Sequence, residues 1–188
     1  PRQRRYRSLC QKPFSASNVA KLQPYIESLA HELIDDVIDQ GKWDWMEAFA
    51  VPMPVRRSAY ILGVPVSDRD LFHEWWEETV YSFSAGQTRE GALNAARLVV
   101  DFQLYFAEKI EARKSCPTDD VLSDIVNSSA DGETPMNIEE CLSVISQLLV
   151  AGNETTTSTF AEGMHLLASH PEELKKVQDD PSLVPTMV

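Results

Sequence analysis

Residues 148–159 read Leu-Leu-Val-Ala-Gly-Asn-Glu-Thr-Thr-Thr-Ser-Thr and lie in the middle of a long apolar helix. Apolar side chains recur at spacings of three and four on both sides of this stretch, as in a helix that buries one face. They are Cys141, Leu142, Val144, Ile145, Leu148, Leu149, Phe160, Met164 and Leu167. Asn137 can cap the start with Glu140 as its capping-box partner, and Pro171 ends the helix near Ser169. About 32 residues at 1.5 Å each give roughly 48 Å, enough to cross a whole domain.

The centre of this helix departs from ordinary helix propensity, because residues 155–159 are all hydroxyl-bearing. Gly152 has no side chain, so a flat ligand could lie against the backbone there. A threonine hydroxyl can bond the carbonyl one turn earlier and open a water-sized notch. Glu154 beside Thr155 then offers an acid and an alcohol as a proton relay. The residues alone fit an ordinary core helix with an exposed Ser/Thr stripe equally well.

Ala-Gly-Asn-Glu-Thr-Thr at residues 151–156 resembles the oxygen-activating motif in the central I helix of cytochromes P450. Three other stretches resemble the same family in the same order. Residues 5–15 are similar to the segment around its C helix, residues 44–65 to the D-to-E stretch of bacterial members, and residues 169–174 to the J helix. The resemblance implies a mainly α cytochrome P450 fold with minimal β structure, packed around the I helix. It makes residues 1–188 a single partial domain, the middle portion of such a protein.

The resemblance assigns the catalytic roles to the centre of the I helix. Thr155, with an associated water, would supply protons during oxygen activation, and Glu154 would feed them from solvent. Ala151 and Gly152, together with Thr155, would contact haem b, forming its floor and a kink that admits oxygen. The implied reaction inserts one oxygen atom from O2 into an apolar small molecule, with electrons from a redox partner.

A basic segment at the start of the chain carries the second implied site. Arg7 matches the position that pairs with a haem propionate, a bidentate geometry that suits arginine. Gln3 stands where many bacterial members carry histidine, and it can donate only a neutral amide hydrogen bond. Arg2, Arg4 and Arg5 would form a basic surface that meets a ferredoxin- or flavodoxin-type electron donor by electrostatic steering. A solvated basic face explains each arginine equally well when it is taken singly.

Aromatic residues fall where the family places its F helix and the loop after it, the lid over the substrate. They are Trp75, Trp76, Tyr81 and Phe83, and a long amphipathic helix predicted over residues 88–113 would be the G-helix partner. Aromatic side chains at helical spacing are more often core residues, so these are candidates for contact with an apolar substrate.

Two features that a complete member of this family needs do not occur in residues 1–188. Cys10, Cys116 and Cys141 lack the Phe-x-x-Gly-x-x-x-Cys-x-Gly context of the haem-ligating cysteine, and the Glu-x-x-Arg pair is absent. The resemblance therefore implies that the iron ligand and this pair lie beyond residue 188.

Charge, apolar runs and cysteine count restrict the partners and the location expected for the protein. The net charge of −12 argues against nucleic acid as a partner. No apolar run reaches the ~18 residues of a membrane span, and the start does not resemble a signal peptide. Three cysteines cannot all pair, which favours a reducing cytoplasm.

Three local predictions concern the elements around the central helix. Trp43 and Trp45 alternate with polar residues as in a short strand. Ser67 with Asp70 has the spacing of a helix cap. The helix over residues 88–113 is predicted to bury Leu93, Ala96, Val100, Leu104 and Ala107.

Two other classes of function stay open at this stage. A helical di-metal carboxylate oxygenase uses acid–histidine pairs on neighbouring helices. In such sites the acid and the histidine are three residues apart. Glu162 with His165 and Asp70 with His73 have this spacing, and Glu27 with His31 is one residue longer. The bridging glutamates of such a site are not evident. A helical binding module without catalysis is the third alternative.

Overall fold

The computed structural model describes residues 2–82, 88–130 and 132–187, and the regular structure in these ranges is entirely helical. Its α-helices are α1 (Arg2–Cys10), α2 (Ala16–Ala20), α3 (Gln23–Asp35), α4 (Pro52–Ile61), α5 (Arg69–Ser82), α6 (Arg89–Ser115), α7 (Val121–Val126), α8 (Ile138–Ser169), α9 (Pro171–Asp179) and α10 (Val184–Met187). Short 3-10 helices span Lys12–Phe14, Ile38–Gln40, Val66–Asp68 and Pro181–Leu183, and a π-helix spans Met46–Ala50. None of the described helices is long and apolar enough to cross a membrane.

The predicted central helix is confirmed as α8, with 32 residues. Its capping box forms as expected. The Asn137 side chain accepts from the Glu140 amide at 2.8 Å, and the Glu140 carboxylate accepts from the Asn137 amide at 3.0 Å. Two otherwise unpaired amides are thereby satisfied at the helix start.

Two apolar clusters hold the helices together, and α4 contributes to both. The larger cluster joins α4 to α8 with the buried aromatic residues of α5 and α6. The smaller one packs α3 and the π-helix against Met53 of α4. One of the two most extensive helix contacts is between α4 and α8. Helix α4 therefore covers one side of the middle of α8.

The prediction for the buried face of the long helix, now α6, is wrong. Leu93, Val100 and Leu104 are 54%, 50% and 66% exposed. The opposite side is buried instead, through Ala95, Phe102, Phe106 and Ile110. Both sets have helical spacing, but the aromatic set removes more apolar surface from water and therefore packs inward.

The short strand predicted around Trp43 and Trp45 does not form. Trp45 stacks on Phe49 with ring centroids 4.7 Å apart, which is a contact across four residues of a helical turn. Its indole N–H donates to the carbonyl of Phe160 in α8 at 3.0 Å. The described ranges contain no strand with which this two-residue alternation could pair, so the helical contacts prevail.

The helix cap predicted at Ser67 is also wrong. Its hydroxyl donates to the adjacent Asp68 carboxylate at 2.8 Å. The 3-10 turn Val66–Asp68 leads directly into α5, so the chain enters that helix already coiled and without a side-chain cap.

Candidate active site

The centre of α8 presents different residues on its two sides. Ala151, Glu154 and Thr155 are exposed, whereas Asn153 between them is fully buried. The Thr155 hydroxyl donates to the Ala151 carbonyl one turn earlier at 2.8 Å, as the sequence predicts. The chain stays α-helical across residues 151–159, so this segment is not an interruption of the helix. The acid and the alcohol of the predicted relay thus lie together on an open face.

Gly152 lies where α4 crosses α8, a contact that the sequence did not indicate. A Cβ atom at this position would lie 3.1 Å from Nη2 of Arg57 and 3.5 Å from Oγ of Ser58. The space that the glycine leaves is therefore taken by α4, not by a flat ligand. Its place in a haem floor stays a prediction, and a side chain at this position would press on the Arg57 guanidinium.

A polar cluster between α4 and α8 was missed by the sequence interpretation. Ser58 Oγ donates to Asn153 Oδ1 at 2.5 Å, and both residues are buried. Arg57 Nη2 donates to the Gly152 carbonyl at 2.7 Å, and burial lowers the pKa of this guanidinium. A signal was present in the sequence, because the buried residues of α8 recur every four positions: Cys141, Ile145, Leu149, Asn153 and Thr157. Two polar residues in an otherwise apolar stripe indicate a buried polar contact.

The predicted propionate site lies on one face of α1. Gln3 and Arg7 are four residues apart and exposed, and neither side chain has a hydrogen-bond or ion-pair partner among the described residues. An unpaired guanidinium with an amide donor one turn away fits a carboxylate ligand such as a haem propionate. Arg4 is also exposed, and the side chain of Arg2 lies outside the described part of the chain.

Arg5 is not available for an electron donor, contrary to the prediction. Its guanidinium donates to both carboxylate oxygens of Glu140, at 2.6 and 3.0 Å, and to the carbonyls of Thr134 and Pro135. Tyr6 donates its hydroxyl to the same carboxylate at 2.8 Å. The two residues fix α1 against the start of α8.

Glu140 is expected to give the protein a stability that depends on acid pH. Hydrogen bonds from Arg5, the Asn137 amide and Tyr6 lower the pKa of the Glu140 carboxyl to about 2, against 4.5 ordinarily. A carboxyl with a lowered pKa stabilises the folded state above its unfolded pKa, and this contribution is lost as the pH falls through the folded pKa. Glu140→Gln should therefore lower the unfolding temperature at neutral pH, and the difference from wild type should shrink between pH 4.5 and 2.

Thermal unfolding at a series of pH values measures this difference. Glu139→Gln is the matched control, because Glu139 is in the same helical turn and has no hydrogen-bond or ion-pair partner among the described residues. A difference for Glu140→Gln that stays constant down to pH 2 would contradict the assigned pKa.

The aromatic lid candidates divide into core and surface. Trp75 is 2% exposed and packs edge-on against Phe102 of α6, with ring centroids 5.7 Å apart. Trp76 is buried as well. Both are core residues, so the lid prediction is wrong for them. Tyr81 is 40% exposed and remains a candidate, whereas Phe83 lies outside the described residues.

The described residues offer no alternative metal centre. None of their histidine, cysteine, aspartate or glutamate side chains forms a group of three or more that could hold an ion. His73 lies 3.3 Å from the Glu77 carboxylate, so its nearest acid is not the predicted Asp70. Burial raises the pKa of the Cys141 thiol to about 11, which disfavours the thiolate form that binds metals. The di-metal alternative therefore has no support in the geometry.

Comparisons with curated proteins agree with the resemblance. The 6-deoxyerythronolide B hydroxylase of Saccharopolyspora erythraea is 33% identical over 188 residues, which is 100% of this chain and 45% of that protein. The mycinamicin IV hydroxylase/epoxidase of Micromonospora griseorubida is 34% identical over 189 residues, again 100% of this chain and 46% of that protein. The chain thus spans about half the length of these relatives.

Solved structures match equally well. Ligand-free cytochrome P450 TbtJ1 gives a TM-score of 0.91 at 33% identity, covering 100% of this chain and 49% of that one. P450BioI, solved with a hexadec-9Z-enoic acid-ligated acyl carrier protein, gives 0.90 at 30% identity, covering 100% and 48%. The family model described as Cytochrome P450 matches residues 80–183, which is more than half of the chain. With the long α8, its Ala-Gly-Asn-Glu-Thr-Thr segment and these matches, the chain belongs to the cytochrome P450 family.

Proposed function

We propose that the full-length protein is a haem-thiolate monooxygenase that inserts one oxygen atom of O2 into an apolar small molecule. The observation that carries this proposal is the open face of α8. There Thr155 holds its hydroxyl 2.8 Å from the Ala151 carbonyl, beside the exposed carboxylate of Glu154. The opposite face is occupied by α4, so a cofactor and substrate would approach from the Thr155 side.

Haem b bound through a cysteine thiolate supplies the activation of dioxygen. Arg7 and Gln3 would hold a propionate through their unpaired donors. Ala151, exposed on the same face as Thr155, would lie beneath the ring, and Gly152 would contribute only its backbone there. The Thr155 hydroxyl orients a water molecule, and Glu154 passes protons to it from solvent. Residues 1–188 would form one partial domain of the full-length protein. The axial cysteine and the Glu-x-x-Arg pair would lie in the part of the relatives' length that these residues do not cover.

The substrate and the redox partner follow from the same assignment. Both curated relatives are named as hydroxylases, which supports hydroxylation of an organic small molecule. Electrons would come from a ferredoxin- or flavodoxin-type donor whose acidic surface meets Arg2 and Arg4, without Arg5. Three free cysteines, Cys10, Cys116 and Cys141, support a reducing cytoplasm as the location.

An absorbance measurement on the full-length protein tests the class of enzyme. The purified protein should show an intense Soret band that shifts when carbon monoxide is added after reduction. It should also oxidise NAD(P)H through a ferredoxin and its reductase when an apolar substrate is present. A protein without haem absorbance would refute the proposal and favour a binding module without catalysis.

A further inference from the structure

The carbonyl of Gly152 receives more donors than an ordinary helix carbonyl. Arg57 Nη2 donates to it from α4 at 2.7 Å, and the Thr156 hydroxyl donates to it at 2.9 Å. In an α-helix the same oxygen is also the acceptor for the backbone amide four residues on, which here is that of Thr156. A carbonyl oxygen has two lone pairs, so three donors compete for it.

Among the described residues, Arg57 has no other strong acceptor to satisfy its charge. No carboxylate of the described residues forms an ion pair with it, and its Nε atom is buried without a hydrogen-bond partner. Its other contact, to Ser58 Oγ, is long at 3.4 Å. The adjacent Arg56, by contrast, pairs with Glu32 at 2.8 Å. Because a half-buried cation needs a partner, the Gly152 carbonyl is the main acceptor for Arg57.

A hydrogen-bond donor from outside a helix changes the backbone hydrogen bonds within it. Helix carbonyls that bond outward tilt away from the axis, and their internal hydrogen bonds lengthen. The bond between the Gly152 carbonyl and the Thr156 amide closes the turn that contains Thr155. A charged donor from α4 therefore weakens the ladder immediately behind the exposed hydroxyl.

We propose that Arg57 is a positioning residue for the Thr155 site, because it draws the Gly152 carbonyl toward α4 and keeps this turn of α8 loose. The loosened turn lets Thr155 and its water adjust while protons are delivered. This inference rests on the proposed monooxygenase function. The neighbouring Ser58–Asn153 hydrogen bond, buried and 2.5 Å long, fixes the two helices in register so that the loosening stays local.

Hydrogen exchange and coupling, both measured on the full-length haem-loaded protein, test the proposal. Arg57→Met removes the charge and the donors but keeps the length of the side chain. Exchange of the amides of residues 155–157 should then slow by a factor of about 3 to 10, the range of one hydrogen bond of ordinary net strength. Product formed per NAD(P)H consumed should fall by a similar factor of about 3 to 10.

Two further variants fix the interpretation. Arg57→Lys keeps the charge but replaces the guanidinium by a single ammonium nitrogen. Amide exchange and coupling should therefore change in the same direction as in Arg57→Met, but less. If Arg57→Met does not fold, the sign of the change in Arg57→Lys decides. Arg56→Met is the matched control and should leave both quantities unchanged. If Arg57 only tied α4 to α8, its loss would speed exchange of these amides instead of slowing it. That result would overturn the inference.

Failure of the inference can be distinguished from failure of the proposed function. Full coupling in Arg57→Met with an intact carbon monoxide shift would refute the role of Arg57 alone. A wild-type protein without haem absorbance would refute the monooxygenase itself, and the positioning role with it.

Discussion

Thr155→Ala in the full-length protein is expected to divert reducing equivalents from product to hydrogen peroxide. The substitution removes one exposed hydroxyl and its 2.8 Å hydrogen bond to the Ala151 carbonyl, so fold, haem content and substrate binding should stay near normal. Proton delivery by a positioned group typically contributes roughly 10²- to 10⁴-fold to a rate. Product formed per NAD(P)H should therefore fall by about tenfold or more. Parallel measurement of NAD(P)H, product and peroxide checks this.

Two companion variants distinguish a loss of proton delivery from a distortion of the helix. Glu154→Gln should slow the whole cycle, because it impairs proton supply from solvent. Thr159→Ala is the matched control, since its hydroxyl is exposed and donates at 2.8 Å to the Thr155 carbonyl in the same way, one turn further along. Equal uncoupling in Thr155→Ala and Thr159→Ala would show that helix distortion, and not proton delivery, is responsible.

Thr157 is not a suitable control, although it lies only two residues from Thr155. It is 7% exposed, and its hydroxyl is buried without a hydrogen-bond partner. Thr157→Ala would remove a packed methyl group together with an unsatisfied hydroxyl, two effects of opposite sign on stability.

Arg7→Ala is expected to weaken haem retention by about 10- to 100-fold, the range of a hydrogen bond to a charged group. The reason is that Arg7 has no partner among the described residues and is free to pair with a propionate. Titration of the full-length apoprotein with haem measures the dissociation constant. Arg4→Ala, on an exposed position of the same helix, should leave this constant unchanged. Loss of haem in Arg4→Ala with normal affinity in Arg7→Ala would show that Arg4, and not Arg7, pairs with the propionate.

Features encoded by neighbouring residues were predictable from the sequence. The bounds of α8 depend on a capping box across three residues and on Pro171, which both act locally. The hydrogen bond from Thr155 to Ala151 likewise joins residues one turn apart. Such signals do not depend on how the rest of the chain packs.

Features decided by packing were not predictable in this way. Two sets of apolar residues on α6 have helical spacing, and partners on other helices, such as Phe72 and Trp75 of α5, select the aromatic set. The contact of Arg57 with Gly152 spans 95 residues, so no local pattern shows it. Arg5 resembles its basic neighbours in sequence, and its partner Glu140 lies 135 residues away.

The Glu140 carboxylate joins positions that are three residues apart, through Asn137, and 135 residues apart, through Arg5. Closing the short contact costs little chain entropy, whereas the long one requires most of the intervening chain to be in place. We therefore expect α8 to begin folding without α1, and α1 to dock late onto a helix start that is already formed. Because α1 also carries Gln3 and Arg7, a propionate held by these residues would bind only the docked form. Haem would then act as a folding ligand for α1, and each event would favour the other.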